Sequence, residues 1–380
     1  MEIINYTEEH KQFRQRLKNF LAKEVIPNIE KWEHDEITPK SIWAKLGKNG
    51  FLCTDVPQEY GGMGGDFLYS VIVCEEIAYS TIAGLLTYLH SDIIVPYIST
   101  FGTEDQKKKY LSKCVSGDII TAVAMTEPGA GSDLASLCTT AEDDGDHVVI
   151  NGSKTFISNG INCDLVIVAA KDSAIENPYK AISLYIVEDG TPGFEKGQNL
   201  EKLGLHSQDT AELFFSKCRI PKSNLLGERG KGFYMLMQKL QQERLMITIN
   251  ALASGEFILE ETIEYCKKTK DQGGLLAQNQ SVQFKLVEMA TDIKIGRTFI
   301  DKLIADHMAG KDVNTETSMA KFWVPEMANK VADRSLDLYG YSGWLEKCSV
   351  VRPWRDLRGT PIFGGTSQIM RKIIAKSMGL

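Results

Sequence analysis

The period of the hydrophobic pattern changes twice along this chain, and no other feature restricts its fold so strongly. In residues 1–118 the apolar residues recur at helical spacing, as at Phe13, Leu17, Phe20 and Leu21, which gathers them on one helix face. Thr103-Glu-Asp-Gln106 is a capping box opening the helix that runs through Leu111. Residues 119–228 switch to short β-rich runs, HVVING, KTFISNG, DLVIVAA, AISLYIVEDG and AELFF, separated by Asn-Gly and Asp-Gly style turns. From residue 229 the helical period returns in long amphipathic stretches: Gly232 to about Lys270, Val282 to Ala309, Thr315 to Tyr339, and a last helix after Gly365 that Thr366 or Ser367 can cap. The expected class is α+β. An N-terminal α-helical domain (1–118) precedes a middle antiparallel β domain (119–228), barrel- or sandwich-like, and a C-terminal four-helix-bundle domain (229–380).

Several function classes drop out on composition. Net charge is −7 and no Lys/Arg block occurs, so no nucleic-acid partner is expected. The longest apolar runs, such as Leu165–Ala170, are far too short to span a bilayer. The start MEIINYTEEHKQF lacks a signal-peptide pattern, so a cytoplasmic location is expected. Cysteines at 53, 74, 114, 138, 163, 218, 266 and 348 contain no CxxC pair and read as free, mostly buried thiols. The histidines form no ligand cluster, so no metal is expected, and His90 in YLHSD reads as a packed residue.

Four stretches carry chemistry. Val56–Asp66 is a glycine-rich loop that either approaches a ligand or simply connects helices. Met125-TEPGAGSD-Asp133 exposes backbone N–H groups and the Thr126 and Ser132 hydroxyls, which suits the edge of a polar heterocycle; a surface loop is the plainer alternative. In Asn151–Gly160, Phe156 and Ser158 lie two apart on one strand and share a face. They can hold a planar ring by face and edge, unless Phe156 is ordinary core. On the helix through Leu240-QQERLMI-Ile247, Glu243 interrupts an apolar stripe of Leu236, Leu240 and Ile247. Desolvated there, it becomes a candidate base; paired with Lys239, it is structural.

Together these motifs resemble the acyl-CoA dehydrogenase family, through TEPGAGSD (126–133), NGSKTFISNG (151–160), the run 209–233, QQERL (241–245) and IFGGTSQIM (362–370). The resemblance spans the chain and is greatest to the long-chain and isovaleryl branches. It implies bound FAD, a homotetramer, and α,β-desaturation of an acyl thioester in which FAD N5 accepts the β-hydride. Electrons would pass to an electron-transfer flavoprotein or to oxygen. By family pattern Val123, Met125, Thr126, Gly131, Ser132, Phe156, Ile157 and Ser158 line the flavin. Gln280, Asp337, Tyr341, Thr366 and Gln368 hold the rest of FAD, partly across a subunit boundary, while Ser132, Tyr234, Arg244, Gly364 and Gly365 meet the substrate.

Many family members carry their catalytic Glu where this chain has Gly364. The long-chain and isovaleryl types place the base in a Glu-Arg-Leu motif, matched here by Glu243-Arg244-Leu245. Gly364 keeps only its N–H, which would bond the thioester oxygen. One departure concerns FAD. The usual Arg-x-x-Phe-Gly is Thr269-Lys-Asp-Gln-Gly273 here, so a phosphate contact worth roughly 1.5–3 kcal/mol is missing unless Lys267, Lys268 or Lys270 replaces it. Two other readings remain: a dehydrogenase of acyl groups, such as prolyl, tethered to a carrier protein, and a redox-silent relative.

Overall fold

The computed structural model describes residues 3–82 and 84–380. Its first block is helical: α1 (Glu8–Phe20), α2 (Ile29–His34), α3 (Lys40–Lys48), α4 (Phe67–Tyr79), α5 (Val95–Phe101) and α6 (Glu104–Ser116). α1 buries Phe13 and Leu17, and α6 opens on the Thr103–Gln106 capping box with both reciprocal bonds formed. Every side chain of α4 from Leu68 to Ala78 is buried, so this helix is the central rod of the block. A π-helical turn, Leu89–Ile94, leads into α5. It carries His90, whose Nδ1 lies 2.8 Å from Thr121 Oγ1 and Nε2 3.0 Å from the Cys114 carbonyl. Burial pulls its pKa down to about 4, which makes it a packed neutral histidine, as YLHSD indicates. All eight cysteines are free, and six are buried.

The middle block contains β1 (Thr121–Ala124), β2 (Thr140–Asp144), β3 (His147–Ser158), β4 (Leu165–Lys171), the short α7 (Pro178–Ala181), β5 (Ile182–Glu188), β6 (Phe194–Asn199), β7 (Thr210–Pro221) and β8 (Leu225–Leu226). They form one sheet in the order β6-β7-β3-β2-β4-β5-β8, with β1 beside β4. The sheet is mixed, which corrects the purely antiparallel expectation. β1 runs parallel to β4, Thr121 opposite Leu165, and β2 meets β4 in parallel at Thr140 and Lys171. Turn residues reveal the direction of strands that follow one another, whereas β1 and β4 are separated by two further strands and carry no local mark of their pairing.

β4 and β5 are buried along almost their whole length because each faces two cores. Leu165, Ile167 and Ala169 join the helical core, while Val166, Val168 and Ala170 face the core inside the sheet. A strand covered on both faces reads as a continuous apolar run rather than an alternation, which is the form of LVIVAA.

The last block is α8 (Gly232–Lys268), the two-residue strands β9 (Lys270–Asp271) and β10 (Gly274–Leu275), α9 (Gln280–Met308), α10 (Asn314–Tyr339), α11 (Val351–Leu357) and α12 (Ser367–Ser377). α10 packs along α8, and α9 and α12 pack on α10. α8 also packs on α4, so the two helical blocks share one core. Among the described residues, no helix is long and apolar enough to cross a membrane.

A buried polar cluster fastens the sheet to the N-terminal helices. Asp209 accepts the Ile161 and Asn162 N–H groups at 2.8 and 2.9 Å, and Asn162 Nδ2 donates to the Thr38 carbonyl at 2.8 Å. Thr38 Oγ1 in turn donates to the Ser207 carbonyl at 2.9 Å. Asp209→Ala leaves buried N–H groups unpaired and is expected to cost about 2–4 kcal/mol. Asp209→Asn, whose amide oxygen still accepts, is expected to cost less. Urea unfolding midpoints of the three proteins check this.

Candidate active site

The site is built where α8 meets the turn before α12. Leu236, Glu243 and Ile247 lie on one buried stripe of α8, and Glu243 is only 8% exposed. Its Oε2 has no hydrogen-bond partner. The pairing with Lys239 that sequence allows does not form, because Lys239 Nζ donates instead to Thr100 Oγ1 at 2.7 Å. Burial raises the Glu243 pKa, with the charges of Arg244 and Lys321 opposing it.

The turn takes its shape from two glycines. Gly364 has φ +63° and Gly365 φ +103°, a region that side chains other than glycine rarely adopt. A Cβ on Gly364 would stand 2.2 Å from Ile247 Cδ1 and 3.4 Å from Glu243 Oε1. The missing side chain is therefore what lets the turn lie directly against the carboxylate. A Cβ on Gly365 would stand 2.7 Å from Met370 Cε and 3.9 Å from Arg244 Nε. Arg244 is itself buried, with Nε unpartnered. The Gly364 N–H has no acceptor among the described residues, while Thr366 Oγ1 caps α12 by accepting the Ile369 N–H at 3.2 Å.

The two loop motifs of the sheet are locked together beneath the surface. Lys154 Nζ donates to Glu127 Oε1 at 2.8 Å and to the Met125 carbonyl at 3.2 Å. Glu127 also accepts the Cys138 and Thr139 N–H groups. Burial pushes the Glu127 carboxyl up, but Lys154 and these donors outweigh it and hold it below its ordinary value. Burial pulls the Lys154 ammonium down to about 8 against the opposing pull of Glu127.

Around this buried pair the surface is open. Phe156 is 66% exposed, which removes the core-packing alternative. Its φ is +56°, at a register shift between Lys154 and Ile157. Phe156 and Ser158 are both accessible, but a bulge places the ring, not regular strand alternation alone. Ile157 points into the sheet core, so only its backbone is left to meet a ligand. Cβ atoms on Gly129 and Gly131 would meet nothing within 4 Å. Val123 and Met125 pack on the same core as Ile247 and Phe363.

The remaining expected residues are not brought together by the single chain. Gln280 is exposed at the start of α9, Asp337 and Tyr341 at the end of α10 and in the turn after it, Gln368 in the first turn of α12, and Tyr234 near the start of α8. Near Thr269, Lys267 and Lys268 both pair with Glu264, while Lys270 forms no ion pair among the described residues.

Sequence reasoning missed Lys321, Ile247 as the neighbour of Gly364, and the Glu127–Lys154 pair. Lys321 was detectable by the signal that marked Glu243. On α10 it shares a helical stripe with Thr317, Val324 and Ala328, all buried, so a charged residue interrupts a buried face.

Comparison with known proteins follows the same order along the chain. The family models "Acyl-CoA dehydrogenase, N-terminal domain", "middle domain" and "C-terminal domain" match residues 7–118, 122–218 and 230–379. The mitochondrial long-chain specific acyl-CoA dehydrogenase of Sus scrofa is 44% identical over 98% of this chain and 87% of its own. The crystal structure of an acyl-CoA dehydrogenase from Geobacillus kaustophilus superposes with TM-score 0.97 at 50% identity, covering 99% of both chains. A prolyl acyl carrier protein oxidase superposes with TM-score 0.91 at 29% identity, covering 99% of this chain and 100% of its own.

Two outcomes follow from the buried charges. Lys154→Met strands Glu127 and is expected to cost about 3–5 kcal/mol, with Glu127→Gln in the same chain restoring part of it; thermal unfolding of the single and double variants measures this. Glu243→Gln is expected to raise the thermal midpoint of the cofactor-free protein near neutral pH and to do so less in acid. Because the folded pKa is raised, the wild-type carboxyl is protonated at low pH and loses stability as pH rises through that pKa. A midpoint difference that does not grow with pH contradicts it.

Proposed function

The chain belongs to the acyl-CoA dehydrogenase family, FAD-dependent oxidoreductases that act on acyl thioesters, and from that premise we propose that Glu243 is the base that takes the α-proton of an acyl-CoA. One observation carries this reading: a buried carboxylate with an unpartnered oxygen stands 3.4 Å from where a Gly364 side chain would begin. A carboxylate with no hydrogen bond and little water is more basic than in solution, as removal of a weakly acidic α-proton requires.

The residues present fit FAD. The Phe156 ring is exposed, the space at Gly129 and Gly131 is open, and the Thr126, Ser132 and Ser158 hydroxyls have no hydrogen bond within the described residues. An aromatic face ringed by free hydroxyls and backbone groups suits a planar polar heterocycle. Bound FAD supplies a two-electron acceptor. Phe156, the backbone of Ile157, Val123, Met125, Thr126, Gly131, Ser132 and Ser158 are the residues that would hold it.

The other tasks fall to this chain's own atoms. The Gly364 N–H donates to the thioester oxygen as enolate charge gathers there, which lowers the barrier most in a water-poor site. Gly365 gives room for that approach, Arg244 sits beneath it, and Ser132 and Tyr234 bound the substrate. We read the chain as one subunit of a cytoplasmic homotetramer that hands electrons to an electron-transfer flavoprotein, with oxygen as the alternative acceptor. Gln280, Asp337, Tyr341, Thr366 and Gln368 then complete FAD binding, partly from a neighbouring subunit. Their scatter over exposed helix ends in the single chain is in keeping with that division. Lys270, which forms no ion pair among the described residues, is a cation that could replace the missing Arg.

The likeness to a prolyl acyl carrier protein oxidase supports a carrier-tethered acyl group as the second reading, and one experiment separates the two. FAD-loaded protein is mixed without oxygen with a panel of acyl-CoAs and with prolyl-loaded carrier protein, and flavin absorbance is followed. Bleaching by acyl-CoA, slowed about 100- to 10,000-fold in Glu243→Gln, is the expected result. Its rate should rise with pH through a limb above the ordinary carboxylate range, because the base works only when ionised. Bleaching by the carrier substrate alone would select the second reading, unslowed bleaching in the variant would remove Glu243 from its role, and none from either class would indicate a redox-silent relative.

A further inference from the structure

Lys321 is an unusual residue for the middle of a helix bundle. Its side chain is fully buried and lies on α10, one turn before Pro325. Nζ donates to the Thr360 carbonyl at 2.7 Å and to the Gly365 carbonyl at 3.1 Å. No carboxylate forms an ion pair with it among the described residues, so a charged group is held in the core by two carbonyls of one short turn. That is costly unless the group has a task there.

The turn it holds is the one that carries Gly364. Thr360 and Gly365 stand at its two ends, and the glycine between them faces Glu243 Oε1. The Gly365 carbonyl shares its peptide plane with the Thr366 N–H, so the two Lys321 bonds fix the ends of the turn, at Thr360 and Gly365, and limit how far Gly364 between them can move. Lys321 and Glu243 also act on each other through their charges. The titratable groups whose charges act on the carboxyl are Arg244 from α8 itself, Lys321 from α10, and the phenols of Tyr88, just before the π-helical turn, and Tyr97 in α5. Only the first two are cations, and burial pulls the Lys321 ammonium down to about 8, with Glu243 drawing it back up.

We propose that Lys321 is a positioning residue for the desaturation: it pins the Thr360–Gly365 turn by two carbonyls and so holds Gly364 against Glu243. This inference rests on Glu243 being the base. It assigns a role to a fully buried lysine that forms no ion pair among the described residues. A methionine or leucine of similar volume would fill the same space without a desolvated charge.

The test uses FAD-loaded wild type, Lys321→Gln, Lys321→Met and Glu243→Gln, with one oxidisable acyl-CoA and an excess of a redox-dye electron acceptor, from about pH 5 to 9. In a neutral Lys321 variant that keeps a cooperative thermal transition, the ascending limb of kcat is expected to move up by about one pH unit. Loss of a nearby cation disfavours the carboxylate, so more alkali is needed to ionise it. The plateau kcat is expected to fall about tenfold as the turn loosens, with KM changing much less. A folded variant with the wild-type limb and plateau overturns the proposal. If Glu243→Gln is inactive while the Lys321 variants are unchanged, only this proposal fails; if Glu243→Gln retains activity, the assignment of the base fails with it.

A second measurement does not depend on the Lys321 variants folding. With isotope-labelled lysine, the Nζ resonance of Lys321 is titrated in wild type and in Glu243→Gln. Removing the carboxylate is expected to lower the Lys321 midpoint by about one unit. Equal midpoints in the two proteins overturn the coupling.

Discussion

Gly364 brings the turn before α12 into van der Waals range of α8, at a distance no other residue type permits. Ile247 Cδ1 occupies the space where a Cβ would go, and the positive φ of both glycines sets the direction of the turn. Much else follows from that contact. α8 must be long and straight enough to reach from the sheet to the bundle, α10 must lie beside it to deliver Lys321, and α12 must start at once, capped by Thr366. The carboxylate of Glu243 then lies in the seam between these elements, short of water and of hydrogen-bond donors.

The contact also bears on the proposed place of the base, on α8 rather than at position 364. A glutamate at position 364 would need both a left-handed backbone and the volume that Ile247 fills. With glycine there, the carboxylate instead arrives from the neighbouring helix, Oε1 lying beside the same turn. The cost is a buried acid whose ionisation the fold disfavours, and the cations of Arg244 and Lys321 offset that cost.

The sheet side is held on a different principle. Glu127 and Lys154 sit within the two motifs that sequence reading singled out, yet neither drew attention, because both look like surface charges in a polar loop. Their pairing anchors the open loop to β3 from below, so that Thr126, Ser132 and Phe156 above it can stay accessible. Exposure of a large aromatic ring is unfavourable for the isolated chain, and it is sustained here by a bulge that turns Phe156 away from the core.

Sequence alone determined the helix–sheet–helix order, the capping box at Thr103, the packed state of His90 and the place of Glu243 on an apolar stripe. These are properties of neighbours within a turn or two of chain, where period, cap and burial are written in consecutive residues. Tertiary structure decided the rest: the parallel pairing of β1 with β4, the burial of Lys154 by Glu127, the absence of a partner for Glu243, and the meeting of Gly364 with Ile247 and of Lys321 with the turn. Each joins residues from separate elements, most of them far apart in sequence, and a charge or a glycine looks the same in a sequence whether it ends in water or against another element. Only the packing of elements fixes which of those two environments it meets, and with it the chemistry the residue can perform.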